Sequence, residues 1–475
     1  MKPMRRSLLL SRLFLSSVVL VCGGSMGAAQ DSKALTVTDL IKAIKAHHPV
    51  IQSAEARREQ ADTEQQRAQG AFDLRVNQAT RSRISGFYDG QYLDQSVTKP
   101  LAFSGVDVTA GYRYSNGDFP IYENDLFTRS AGEASVGIKV PLLRDRAIDA
   151  RRIGLMNADR LKSLGMTEEQ IAVNQFIFHG VNAYFNWYEA YLQNGAVAEL
   201  VTLVETRREG VVQRVASGDL AAITLTEFET TLLTRQIGLA EARQSLAVAQ
   251  QQLLFYWRDD AGSSLSVESL KPPALPILWP FPVISFDEAW QQALVSNHPT
   301  IVALEEKIRL AENESRLAEN NLLPDFDLDM KVGRDFGSGT ANLDRPETYI
   351  GVTFSMPLER NKAKADQQSA DAKIRELTLL RRAQLDRLRV QLNEGLLRLA
   401  TYAELRALRR QQATVAKQLE RQEHARFDAG NSDQFLLNAR ESQAAQAKLE
   451  SIGAEVDWIR QKLVLTRLSF DLARF

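Results

Sequence analysis

The 475-residue chain sets 58 lysines and arginines against 59 aspartates and glutamates, for a formal charge of −1. That balance gives no reason to expect nucleic acid or a polybasic membrane contact. Beyond the targeting segment no stretch approaches the ~18 consecutive apolar residues of a spanning helix, so entry into a membrane would require strands.

Residues 1–29 read as a secretory signal peptide. Lys2, Arg5, Arg6 and Arg12 form its basic start, Leu13 to Val21 its apolar core, and Gly27-Ala28-Ala29 its cleavage site. Cys22, the chain's only cysteine, lies inside this segment. Acylation there is a minor alternative, because Val21 stands where a small residue normally precedes a lipidated cysteine. The Arg5-Arg6 pair is a weak twin-arginine signal that an ordinary basic start explains equally well. Without Cys22 the mature chain has no thiol for disulfides or metal sites.

A first structural repeat spans about 30–258. A short amphipathic helix with Leu40 and Ile44 leads to His48-Pro49, and a charged helix then runs towards Phe72. From about 72 to 142 the period changes to two. GVDVTAGYRYS (105–115) sets Val106, Val108, Ala110, Tyr112 and Tyr114 against Asp107, Thr109, Arg113 and Ser115. Phe72, Leu74, Val76 and then Val136, Ile138, Val140 continue the alternation. A membrane barrel strand needs this pattern, one face to lipid and one to water, but so does a half-buried strand of a soluble sheet.

Proline placement marks the helices. Of fourteen prolines, none falls between Pro141 and Pro272 and none follows Pro357, and an interior proline costs a helix about 3 kcal/mol. The first gap predicts a long helix at about 144–215 and a return helix at about 221–257. A Pro-rich linker at 259–283 follows, including most of KPPALPILWPFPVI. The second repeat, 284–475, has strands at about 322–358 (DFDLDMKV; Ile350, Val352, Phe354, Met356). A long helix at about 360–427 and a return helix at about 432–472 complete it. Leu385, Leu388, Leu392, Leu396 and Leu399 form an amphipathic stripe in that long helix. Such a rod is on the order of 100 Å long at 1.5 Å per residue, and it needs lateral partners to bury the stripe.

The chain is a duplication. IKAHHPVI (44–51) matches LVSNHPTI (294–301), and SVGIKVPL (135–142) matches GVTFSMPL (351–358). RVASGDLAAITLTEFE (214–229) matches RFDAGNSDQFLLNARE (426–441), each with arginine four residues before glycine. The fold class is mainly α with β, built as a duplicated unit of helix, strands, long helix and returning helix. His48 and His298 read as helix-start residues, since proline suits the first turn. The five histidines show no HExxH pair and no carboxylate cluster at ligand spacing. Nucleophile and phosphate-loop motifs are likewise missing, so the chain does not read as an enzyme and no cofactor is expected.

The duplication, the two His-Pro starts, the junction PLLRDRAIDARR (141–152) and the R-x-x-x-G turns together resemble the TolC-type outer-membrane efflux family, over essentially the whole mature chain. The resemblance implies a homotrimer in which each copy gives strands to one outer-membrane β-barrel and helices to a long periplasmic α-helical barrel. It implies a periplasmic adaptor and an inner-membrane pump as partners, outer-membrane lipid as surroundings, and transport by passage in efflux or type I secretion. The alternative is a periplasmic coiled-coil adaptor, although adaptors lack the duplication and enclose a lipoyl-like module.

The resemblance also places the periplasmic tip at Ser217, Gly218, Asp219 and Leu220 and at Ala429, Gly430, Asn431, Ser432 and Asp433. Glycine there supplies a positive φ, and Asp219, Asn431 or Ser432 is expected to cap the next helix. Thr224 and Leu436 stand where family members often carry a gate carboxylate. The gate is therefore either acidic, from Asp219, Asp433 or Glu227, or an apolar constriction from Ile223, Phe435 or Leu436, with Arg426 beside it. The long first strand block predicts long extracellular loops or an extra hairpin. Tyr88, Tyr92, Phe119 and Tyr122 are expected either at the membrane interface or in loop packing. The terminal Phe475 follows a helical pattern and carries little weight.

Overall fold

The computed structural model describes residues 34–120, 126–270, 279–281 and 288–474. The signal peptide with Cys22, most of the Pro-rich linker, Tyr122 and Phe475 lie outside the described residues.

The first half runs α1 (Val37–His47), α2 (Pro49–Gln69), β1 (Arg75–Arg83), β2 (Gly90–Pro100), β3 (Asp107–Gly117), β4 (Glu133–Pro141), α3 (Ala150–Ala216) and α4 (Ala222–Tyr256). The second runs α5 (Glu288–Ser296), α6 (Pro299–Asn320), β5 (Asp325–Asp335), β6 (Glu347–Ser355), α7 (Asn361–Asp428), α8 (Gln434–Leu468) and α9 (Asp471–Arg474). Both His-Pro pairs start helices. His48 Nδ1 accepts the Val50 N–H at 3.2 Å and His298 Nδ1 accepts the Thr300 N–H at 3.3 Å. Each imidazole thus takes up one of the orphan donors of a helix N-terminus.

α3 and α7 have 67 and 68 residues, each about 100 Å of helix at 1.5 Å per residue. α3 packs against α2 and α6 towards the sheet and against α4 and α8 towards the turns, while α7 packs against α6 and α8. The helices therefore form a plank, ordered α2–α3–α6–α7 near the sheet and α4–α3–α8–α7 near the turns. Its main core lies mid-plank. There Leu40, Ile41 and Ile44 of α1 meet Ile177, Phe185 and Trp187 of α3, Leu253 of α4 and Leu463 of α8. The leucine stripe of α7 fills a second core, where Leu388 and Leu392 bury against Ile301, Leu465 and Leu468. No described helix is long and apolar enough to cross a membrane.

All six strands form one antiparallel sheet in the order β1-β2-β3-β4-β5-β6. Registers such as Val108↔Ile138, Ile138↔Met330 and Met330↔Ile350 align the apolar faces of β3 to β6. The result is a continuous apolar band that stands uncovered, with Ile350, Val352 and Phe354 between 58% and 64% exposed. The opposite face is charged and cross-linked by ion pairs. Arg113 and Lys331 both reach Glu133, Lys139 lies 2.8 Å from Asp327, and Arg144 lies 3.1 Å from Asp325.

Four strands, not two, come from the first half, so the surplus forms an extra hairpin, β1–β2. The apolar alternation does not extend through it. Phe72 is buried in a 3-10 turn before β1, and the outward positions of β1 are Val76, Gln78, Thr80 and Ser82. Tyr88 packs with Phe87 and Phe119, which meets Phe127, in a cluster that ties the hairpin loop to the β3–β4 loop. Tyr92 lies instead under Arg81 on the polar face.

The final helix is also broken. The Ser469 hydroxyl binds the Thr466 carbonyl and Asp471, and Phe470 takes a φ of 61°. This puts the Phe470 ring edge-on to His298 at 4.8 Å.

Candidate functional site at the helical turns

The α3–α4 turn closes mainly on backbone bonds, joined by the Ser217 hydroxyl, which donates to Arg214 O at 3.1 Å. Gly218 N donates to Val215 O, while Asp219 N and Leu220 N both donate to Arg214 O at 2.9 and 3.2 Å. Gly218 has φ +83°, the left-handed geometry that ends a helix and favours glycine. Leu220 then folds back against Val204, Val211, Phe228 and Leu232 between the two helices.

The α7–α8 turn repeats the backbone scheme and adds side chains. Gly430, at φ +76°, donates to Phe427 O, and Asn431 N donates to Arg426 O at 2.8 Å. Arg426 also grips the Asn431 carbonyl at 3.2 Å and pairs with Glu423. Glu423 is almost fully buried and accepts the Ser432 hydroxyl as well.

The expected caps are displaced. Ala221 precedes α4 and offers no side-chain bond, whereas Asp433 caps α8 by accepting the Leu436 N–H at 2.7 Å. The helices begin later than the spacing implied, which leaves Asp219 and Asn431 within the turns. Ser432 is not the cap because α8 starts at Gln434, which makes Asp433 the residue before it; the Ser432 hydroxyl donates to Glu423 instead.

The gate candidates separate by offset from the glycine. Five residues on, Ile223 is 66% exposed and Phe435 is 78% exposed, large apolar groups uncovered within the chain. Six residues on, Thr224 and Leu436 are half-buried. Glu227, Asp219 and Arg426 are exposed, as are Ser217, Gly218, Ala429, Gly430 and Asn431.

A buried ion cluster above the turns was not anticipated. Glu441 of α8 is fully buried and receives Arg207 from α3 and Arg235 from α4, whose own side chain is only 6% exposed. Burial pulls the Arg235 guanidinium below its ordinary range, and Glu441 partly offsets this. The cluster binds the returning helix of the second half to both rods of the first. One signal for it was present, since Arg235 interrupts the apolar run between Leu232 and Leu239, but sequence spacing alone did not connect it to Glu441. Beside the cluster a groove of ≈ 830 Å³ between α3, α7 and α8 carries charges of both signs, with Lys417 paired to Glu420 and Lys448 to Glu199. Among the described residues no three His, Cys, Asp or Glu converge as a metal site.

No protein-family model matches the chain, and no curated protein is significantly similar to it in sequence. Solved structures do match. The Campylobacter jejuni CmeC outer membrane channel superposes with a TM-score of 0.67 at 12% identity, covering 92% of this chain and 86% of that one. The outer membrane protein VceC of Vibrio cholerae gives 0.66 at 14% identity, covering 91% and 95%. The open state of the Neisseria gonorrhoeae MtrE outer membrane channel gives 0.63 at 13% identity, covering 91% and 88%. The chain therefore has the fold of the TolC-like outer-membrane channels along nearly its whole length.

Proposed function

We propose that three copies of this chain form an outer-membrane exit duct for a tripartite efflux or type I secretion system. An inner-membrane pump and a periplasmic adaptor would deliver its cargo. The observation that carries this reading is the uncovered apolar band of β3 to β6, backed by an ion-paired polar face. Lipid against one face and a wet lumen against the other satisfies both. Unpaired strand edges are not tolerated in hydrocarbon, so a single sheet has to close with further copies. The two turns are then the periplasmic tip. Ser217–Leu220 and Ala429–Asp433 would meet the adaptor.

At the tip an apolar constriction is the favoured gate. Ile223 and Phe435 project from the same offset of both turns, and threefold assembly would gather three of each around the axis. Asp433 is committed to capping α8, which weakens a carboxylate gate.

Membrane fractionation and planar-bilayer recording test the proposal. The protein should require detergent for extraction from the outer membrane, and Ile223→Ala with Phe435→Ala should raise its resting conductance. Asp219→Ala with Asp433→Ala should leave conductance nearly unchanged. A periplasmic monomer soluble without detergent overturns the duct, and the opposite pattern of conductances overturns the apolar gate.

A further inference from the structure

We infer that the barrel wall contains six strands from each copy, closed by antiparallel pairing of β1 with β6 of a second copy of this chain. The inference rests on the trimeric duct proposed above.

Connectivity gives the first argument. α2 feeds β1 and β6 feeds α7, and α2 and α7 are also the two outer members of the helical plank at the sheet end. The open edges of sheet and plank therefore coincide, with β1 above α2 on one side and β6 above α7 on the other. Every residue of β1 is exposed, as is all but one of β6. In an antiparallel sheet of six, the first and last strands run in opposite directions. They can therefore pair antiparallel with no change in the connectivity of any copy.

Width gives the second. At ~4.8 Å per strand and a tilt near 40°, six strands cover about 38 Å of circumference, whereas four cover only about 25 Å. Four helices at 8–10 Å spacing cover about 32–40 Å, so the six-stranded sheet fits the helical layer beneath it.

Charge gives the third. On its polar face β1 presents Arg75, Arg81 and Arg83 and no acid. On the same face β6 presents Glu347, which forms no ion pair among the described residues, while Asp329 of β5 faces Lys139 across the sheet. On that face of β6 the Tyr349 ring folds over Gly351, while Thr353 and Ser355 below it are small enough for an arginine of the next copy to lie across. On the outward face, Gln95 donates to Gln78 at 2.9 Å. That bond reduces the polarity the hairpin brings to lipid.

Three copies of six strands make a wall of eighteen. Because barrel diameter grows roughly with strand number, such a wall encloses a porin-sized aqueous lumen. The outer-membrane segment would then not be the narrowest part of the duct.

Cysteine pairing tests this. Asn77→Cys or Ala79→Cys in β1 is combined with Tyr349→Cys or Thr353→Cys in β6, positions that all lie on the polar face. Chains carrying only one of the introduced cysteines set the background. A short thiol crosslinker applied to outer membranes should join copies through at least one β1–β6 pair. Thr109→Cys in β3 with the same β6 partners should give none. Crosslinking through β3 instead overturns the inference, because the β1–β2 hairpin would then have left the wall. A trimer seen by native mass spectrometry that crosslinks through neither strand also overturns it while leaving the duct intact. Absence of the trimer removes the duct itself, and the inference with it.

Discussion

Replacing Glu441 with alanine removes a buried carboxylate shared by two arginines. Its carboxylate is fully buried, and it serves Arg207 from α3 and Arg235 from α4. Truncation leaves the Arg235 guanidinium inside the helical layer without its main counterion. Removing one partner of a buried pair costs about 3–5 kcal/mol, far more than losing an exposed pair. Two features place the cost near the lower end of that range. Arg207 is 17% exposed and retains some water, and Glu420 lies close enough to act on Arg235 electrostatically. The effect should be local, so hydrogen exchange in α8 and in the facing part of α4 is the suitable assay. A loss of about 3 kcal/mol raises exchange there by roughly two orders of magnitude, while amides around Trp187 change little. Adding Arg235→Met should recover part of the loss, since an apolar side chain leaves no buried charge behind. If Glu441→Ala changes exchange less than about fivefold, or if the double variant exchanges faster than the single one, the cluster does not bind the two halves as argued.

Three further outcomes follow from local geometry. Gly430→Ala should cost about 1–2 kcal/mol, read as fraying of the last turn of α7, because the added methyl meets no atom within 4 Å and only the left-handed backbone resists it. Gly430→Pro should cost more, since it also removes the donor to Phe427 O. At the helix starts, Ala221→Asp should stabilise α4 by about 0.5–1 kcal/mol and Asp433→Ala should destabilise α8 by about 1 kcal/mol, both measurable by hydrogen exchange. Finally, burial pulls the His298 pKa from 6.5 down to about 4, and Arg467 acts in the same direction. Between these values the unfolded chain binds the proton and the folded chain does not, so stability falls as pH drops from 6.5 towards 4 and then levels off. The full effect is about 3 kcal/mol. Thermal midpoints of wild type should therefore fall through that window more steeply than those of His298→Asn, which keeps a capping side chain but does not titrate.

The features legible in the sequence were those fixed by local rules. Proline gaps marked the rods, and two His-Pro pairs marked helix starts because the cap and the first-turn proline are neighbours in sequence. Glycine four residues after arginine marked the turns, since a positive φ is a property of one residue. What escaped was decided by partners distant in sequence. The β1 sequence RVNQATRSR has almost no apolar alternation, so its place in the sheet follows from pairing with β2 and not from its own pattern. The caps were misplaced because helix starts shift by a residue or two, and one such shift made Asp433 rather than Ser432 the residue that caps α8. The Glu441 cluster joins residues more than two hundred positions apart, beyond the reach of any periodicity.

Duplication made the two hairpins alike in sequence without making them alike in bonding. Glu229 and Glu441 occupy equivalent repeat positions, yet Glu229 is about half exposed and pairs only with Arg208, while Glu441 is fully buried. Near its turn the first hairpin is sealed by large side chains, Val204, Val211, Phe228 and Leu232. In the second, Leu437 is fully buried next to the turn, and above it the seam is Ala416, Ala444 and Ala447. Alanine seams allow helices to approach closely but bury little apolar area, at roughly 25 cal/mol per Å². Above Leu437 the second hairpin thus gains little from its own seam, and charged contacts join it to the first. Lys448 reaches Glu199 at 2.7 Å on the surface, where salt screens it, and Glu441 holds its two arginines in the interior, where salt does not. Raised ionic strength should therefore weaken the outer contact and spare the inner one. That leaves the Glu441 cluster as the attachment that sets how firmly the α8 side of the tip follows the α3–α4 rods.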